Sequence, residues 1–226
     1  MQPKDLRRIL VLCVVIALFL LRSGKHALPP MPALAIDKEI TSHWQFAATI
    51  VLWLIYSIYW EIAKFGASAA ITSESSFSRG IHVLLGNVAA LMVLAPIHGM
   101  GRFLPLAPWI MTIGTAIAAL GVGIAIFARI HLGRHWSGEI TIKKDHELIR
   151  TGPYKSLRHP IYTGILTMYL GTTFVTGTWL ALLGLVLACI AYYRKIRLEE
   201  ANLAVAFGAS YDAYRQTSKA LIPGIF

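Results

Sequence analysis

Charge is scarce in this sequence. Only 14% of its 226 residues are Asp, Glu, Lys or Arg, while 56% are hydrophobic, and the mean hydropathy is +0.61. A soluble domain carries about 25% charged residues, so a separate soluble domain is excluded and an integral membrane protein is indicated. Cysteine is nearly absent. Cys13 and Cys189 both lie inside apolar runs, which leaves no disulfide framework or metal-ligand spacing and reads as two small buried hydrophobes. Acidic residues number 11 against 21 Lys and Arg, a net charge of +10. Nucleic acid is not the implied partner, because the cations sit at the ends of apolar segments and form no basic and aromatic stripe of their own. A Gly-rich phosphate loop following a strand is also missing, which excludes a Rossmann or P-loop nucleotide site.

What the chain does have is long apolar runs. About 20 residues cross a membrane as a helix. Candidate spans are Leu6–Leu21, His43–Phe65, Ile81–Ile97 and Pro108–Ile130. The last run, Ile161–Tyr193, is too long for one span and carries Thr176-Gly177-Thr178 near its middle. It is expected to form two short antiparallel helices joined by a tight turn. The first run follows Arg7 and Arg8, as in a signal peptide, but Arg22-Ser23-Gly24-Lys25 comes after it without a clear cleavage site, so a retained helix is expected. Glycines at 114, 121, 123, 164, 171 and 184 suit close helix packing in lipid.

The expected fold is therefore an all-α polytopic bundle of six membrane helices, with cytoplasmic helices at the C-terminus. With both termini cytoplasmic, only Arg22, Lys25, Lys38 and Arg102 of the 21 cations fall outside, as the positive-inside rule requires. Two regions follow: the N-terminal helices, 1–130, and a region 131–226 holding a loop, the hairpin and the tail.

Polar residues gather in the loop His131–His159 and the tail Arg194–Phe226, on one side of the membrane by this topology. Ile140 and Ile142 alternate as in a short extended segment. Gly152-Pro153 makes a turn, and Pro160 suits the first position of a helix. His159 then stands at the N-cap and Tyr162 in the first turn, where the helix dipole favours an anion. For Arg158 and Lys155 a membrane-interface anchor is the simpler reading. Glu199 lies at i,i+4 from Lys195, which is also the spacing of an ordinary salt-bridged helix surface. Gly208 fits a helix C-cap, and Tyr211 and Tyr214 suit a second short helix packing back. His82 and His98 read as interface residues. His131 and His135 have metal spacing but no third ligand, so no metal is expected.

Taken in order, His146-Glu147-Leu148-Ile149, Thr151-Gly152-Pro153-Tyr154, RHPIYTG from Arg158 to Gly164, Glu199-Glu200, then Phe207-Gly208 and the pair Tyr211 and Tyr214 resemble the isoprenylcysteine carboxyl methyltransferase family, membrane enzymes that use S-adenosylmethionine. The resemblance covers roughly Arg129 to Pro223. It implies cofactor contacts at His146, Glu147, Leu148, Ile149, Tyr154, His159, Pro160, Ile161, Tyr162, Glu199 and Glu200. It implies a basic residue facing the substrate carboxylate at Lys195, with Arg194 or Arg197 as substitutes, since eukaryotic members carry Arg there. The implied activity is methyl transfer to a lipophilic acceptor taken from the membrane, an isoprenylcysteine or related isoprenoid acid. The helix-start motif is shared with phospholipid amine N-methyltransferases and NADPH-dependent sterol or enone reductases, so these stand as alternatives. A membrane scaffold or transporter subunit is the non-enzyme reading, which calls for ionisable residues in mid-membrane, but Glu61 and Lys64, which come closest, lie near a helix end.

Overall fold

The computed structural model describes residues 35–63, 70–73, 75–133, 141–143 and 148–224, with 70–73 and 141–143 as backbone only. The Leu6–Leu21 run, Cys13, His135, His146 and Glu147 lie outside them. Residues Ile36–Phe226 form one compact unit. Its elements are α1 (Lys38–Ser42), α2 (Trp44–Ala63), β1 (Ala70–Ser73), α3 (Ser76–Leu94), α4 (Pro108–Leu132), β2 (Thr141–Lys143), a 3-10 turn (Gly152–Lys155), α5 (Pro160–Thr176), α6 (Trp179–Phe207) and α7 (Ala209–Thr217).

Four of these helices, α2, α3, α4 and α6, are long and apolar enough to cross a membrane, which marks an integral membrane protein. The apolar block after residue 160 is broken where its glycine stands. Gly177 has φ +63° and ends α5, and the Thr178 hydroxyl caps α6 by accepting from the Ala181 amide at 3.1 Å. One departure from an all-helical chain is a two-stranded antiparallel ribbon, in which β1 pairs with the extended segment β2.

The packing is that of a protein in lipid. Large apolar side chains such as Leu120, Phe127, Ile130, Leu183 and Ile190 point outward, and the interior holds Ala125, Ala128, Ala181 and Ala188. Between α4 and α5 the helices meet through Gly114, Ala118, Gly121 and Ala125 on one side and Gly164 and Gly171 on the other. A Cβ on Gly114 would lie 2.7 Å from the Gly171 carbonyl oxygen, and one on Gly121 would lie 2.6 Å from that of Gly164. Small residues at this spacing let the backbones touch. Replacing Gly121 by Val forces α4 and α5 apart. We expect a loss of about 3 kcal/mol or more, read as a lower melting temperature in detergent, whereas Gly123→Val, with open space around it, changes little.

α6 is 29 residues long, about 43 Å at 1.5 Å per residue. The hydrocarbon core needs only about 30 Å. The helix is thus longer than one crossing needs, and its charge is confined to its C-terminal half, from Arg194 onward.

Candidate active site at the start of α5

Local sequence places the first wall. His159 is the N-cap of α5, and no side chain caps the helix there. Pro160 occupies the first turn, where its missing N–H costs nothing. The turn before it is pinned by Gly152, whose φ is +57° and whose Cβ would overlap the His131 ring. His131 Nε2 lies 2.9 Å from the Thr151 hydroxyl. Tyr154 is buried, stacks on His131 and directs its hydroxyl to the Ala128 carbonyl at 3.4 Å. Leu148 is half-buried, and Ile149 packs on the same core as Tyr154. Pro160 and Ile161 are buried at the start of α5.

α6 supplies the second wall. The Tyr162 hydroxyl donates to Glu199 Oε1, and Glu199 Oε2 lies 3.5 Å from His159 Nδ1. The Tyr162 ring stacks on His159 with centroids 5.5 Å apart. Glu200 Oε1 accepts from Arg158 Nε at 2.6 Å and lies 3.4 Å from His159 Nε2. That imidazole nitrogen is buried and has no hydrogen bond of its own. Thus Glu199 is not simply paired along its own helix with Lys195. It closes across to α5.

Two electrostatic consequences follow. Burial favours the neutral His159 ring, but the Glu199 and Glu200 carboxylates outweigh it and raise the histidine above its ordinary value. Burial also disfavours the Glu200 anion, yet His159 and Arg158 hold its carboxyl down at about 2. The histidine contribution to stability is present below the ordinary histidine pKa and is lost as pH rises through the raised folded value. The Glu200 contribution is present above the ordinary carboxylate range and is lost as pH falls toward about 2. Melting temperature in detergent should therefore fall as pH rises above the ordinary histidine value, and His159→Gln should flatten that limb.

The three candidate cations separate. Lys195 is buried and, with His159, favours the Glu199 anion against burial. Arg194 turns to α3, donating to the Ser78 hydroxyl at 2.7 Å and to its carbonyl at 3.3 Å. Arg197 is exposed. Among the described residues no group of three or more possible metal ligands gathers.

Arg158 corrects the interface-anchor reading. Besides Glu200 it donates to the Ser218 carbonyl at 2.6 Å, and its own amide donates to Lys219 at 2.8 Å. The His159 amide donates to Ala220 at 3.1 Å, and Leu157 and Lys219 form a parallel bridge. The chain after α7 is thus a strap laid along the start of α5. Tyr214 anchors it, donating to the Tyr154 carbonyl at 2.5 Å. Burial pushes that phenol up to about 12, so it remains a donor. Tyr214→Phe leaves a buried carbonyl unsatisfied and should cost about 1–3 kcal/mol, measured by thermal melting. Sequence reasoning missed the strap. It also missed Tyr192, which packs at 5.2 Å from both Tyr162 and His82. Its spacing was a usable signal: Tyr192, Lys195 and Glu199 stand at i, i+3 and i+7, on one helix face.

Against known proteins, residues 113–205 match the model of the isoprenylcysteine carboxyl methyltransferase (ICMT) family. The protein-S-isoprenylcysteine O-methyltransferase of Schizosaccharomyces pombe is 34% identical over 107 residues, 46% of this chain and 45% of that protein. A probable protein-S-isoprenylcysteine O-methyltransferase of Oryza sativa subsp. indica is 28% identical over 186 residues, 80% of this chain and 96% of that protein. Among solved structures, that of a eukaryotic intramembrane Ras methyltransferase, ICMT, is similar at 21% identity with a TM-score of 0.48, covering 67% of this chain and 54% of that one. The chain thus spans under half of the yeast relative it matches and nearly all of the rice one. The ICMT-matched region includes α5, His159, Tyr162, Lys195, Glu199 and Glu200. The strap and its anchor Tyr214 lie beyond it.

Proposed function

We propose that this protein uses S-adenosylmethionine to methylate the carboxylate of an isoprenylcysteine, or a related isoprenoid acid, at the cytoplasmic membrane face. The observation that carries this reading is the network at the start of α5, where Glu199 is held by Tyr162 and His159 within the ICMT-matched region. The names of the relatives support the same chemistry. The charge distribution supports six crossings with both termini cytoplasmic, α5 and α6 forming the last hairpin and 131–226 the cofactor-binding region.

The residues fit the cofactor. His159 Nε2 is a buried polar atom without a hydrogen bond, and the first amides of α5 have no side-chain cap. The amides form a receptor for a carboxylate, while Nε2, whose present neighbour is Glu200 at 3.4 Å, would have to exchange that contact to join them. Each Glu199 oxygen retains acceptor capacity beyond its present partner, enough for an amino group or a neighbouring cation. The Tyr162 ring offers a π-face to a cation, while Tyr154, already committed to His131 and Ala128, supports the wall from behind. His146 and Glu147 complete the cofactor contacts in this reading, as do Leu148, Ile149, Pro160, Ile161 and Glu200.

S-adenosylmethionine supplies a methyl group already activated on a sulfonium. A carboxylate acceptor is itself the nucleophile, so the chain has no proton to remove. Its tasks are alignment and exclusion of water. Lys195, buried on the same helix face as Tyr192 and Glu199, would pair with the acceptor carboxylate and set its approach; Arg194 and Arg197 could do so only after leaving the positions described above. The apolar acceptor would arrive through the bilayer and the polar cofactor from the aqueous side. Calorimetry with detergent-purified protein tests the cofactor half of the proposal. Saturable binding of S-adenosylmethionine is expected, and its absence at millimolar cofactor would overturn it.

A further inference from the structure

On the outer side of the Arg158–Glu200 pair lies a groove of about 740 Å³ between α6 and α7. Of its lining, the site proposed above takes only Glu200 and, as a substitute cation, Arg197. Its floor is Ile196, buried, and one wall is Tyr193, half exposed. Its rim carries Arg197, Arg215 and Lys219, all exposed. Among the described residues none of these three cations has an ion pair. Two carboxylates also line it. Glu200 is already bonded to Arg158, which leaves Asp212, among the described residues, as the acidic group beside these three cations.

The level of the groove decides what it holds. Tyr193 is the last residue of the uncharged stretch of α6 and Arg194 begins the polar part, so the groove opens where hydrocarbon meets headgroups. Tyrosine is enriched at that depth.

We propose that this groove binds the phosphate headgroup of an anionic phospholipid, with Arg197, Arg215 and Lys219 on the phosphate and Tyr193 and Ile196 against the glycerol and upper acyl chain. Cations near an anionic membrane surface each contribute about 1 kcal/mol, about fivefold in occupancy.

Native mass spectrometry of the full chain, released from nanodiscs of mixed phosphatidylglycerol and phosphatidylcholine, reads the preference directly. Wild type should retain phosphatidylglycerol. The double variant Arg197→Gln/Arg215→Gln should lose the preference about 20-fold, and Arg197→Lys/Arg215→Lys should keep most of it. Arg150→Gln/Lys155→Gln removes two exposed charges elsewhere and should have little effect. Equal loss in that control overturns the proposal in favour of diffuse surface charge. Displacement of the lipid by millimolar inorganic phosphate, or by a soluble Glu-rich peptide, overturns it in favour of an aqueous anion or an acidic protein segment. If the glutamine pair does not fold, absence of a phosphatidylglycerol preference in wild type still refutes it. No arm requires methyl transfer, so the result stands apart from the proposed enzyme activity.

Discussion

Glu199→Gln is expected to reduce S-adenosylmethionine affinity by about 100-fold or more, with methyl transfer lost in parallel. The substitution keeps the volume of the side chain and keeps an oxygen for the Tyr162 hydroxyl to bond, so the packing of α5 on α6 should survive. What it removes is the negative charge between Tyr162 and His159. Truncating one member of a desolvated charge pair costs about 2–5 kcal/mol, which is the origin of the expected factor. Tyr162→Phe removes only the hydroxyl that orients the carboxylate. It should weaken the cofactor about tenfold and raise its KM more than it lowers kcat. If Glu199→Gln binds cofactor as wild type does, the carboxylate has a structural role only and the assigned pocket is wrong.

Arg158→Met is expected to destabilise the fold by about 3–5 kcal/mol, the range for breaking a buried ion pair from one side. Arg158 and Glu200 have side chains only 11% and 15% exposed, so water replaces little of the lost contact. The same guanidinium holds the Ser218 carbonyl. The strap 218–221 should therefore loosen along with the drop in melting temperature, and limited proteolysis should cut after α7 in the variant but not in wild type. Arg158→Lys keeps a charge without the guanidinium fork and should fall between. An unchanged melting curve for Arg158→Met would show that the ion pair adds nothing to the fold.

Much of the scaffold was legible because lipid imposes simple rules. The apolar run Pro108–Ile130 became α4 almost unchanged, and a long run containing Gly177 had to break there. The first turn of α5 was legible from Pro160, since proline marks where a helix begins. Glu199 and Tyr162 were both singled out as candidates by an ordered set of motifs. Their direct bond was not, because 37 positions separate them and no local period links them. Arg158 was misread for the same reason. As sequence it is a cation beside a membrane helix, and only the return of the tail, 60 residues later, turns it into a latch. The difference between Arg194, Lys195 and Arg197 was hidden too. Helix phase separates their faces, but what each face meets depends on Ser78 in α3, far away in the chain.

The central claim is the chemistry, and one measurement addresses it directly. Purified protein in anionic nanodiscs is given S-adenosylmethionine with a radiolabelled methyl group, together with prenylated cysteine analogues, free isoprenoid acids and phosphatidylethanolamine. Label should enter the carboxylates and be released by mild base as methanol, the behaviour of a methyl ester. Base-stable label in phosphatidylethanolamine, or no transfer to any acceptor by protein that binds the cofactor, would contradict carboxyl methylation.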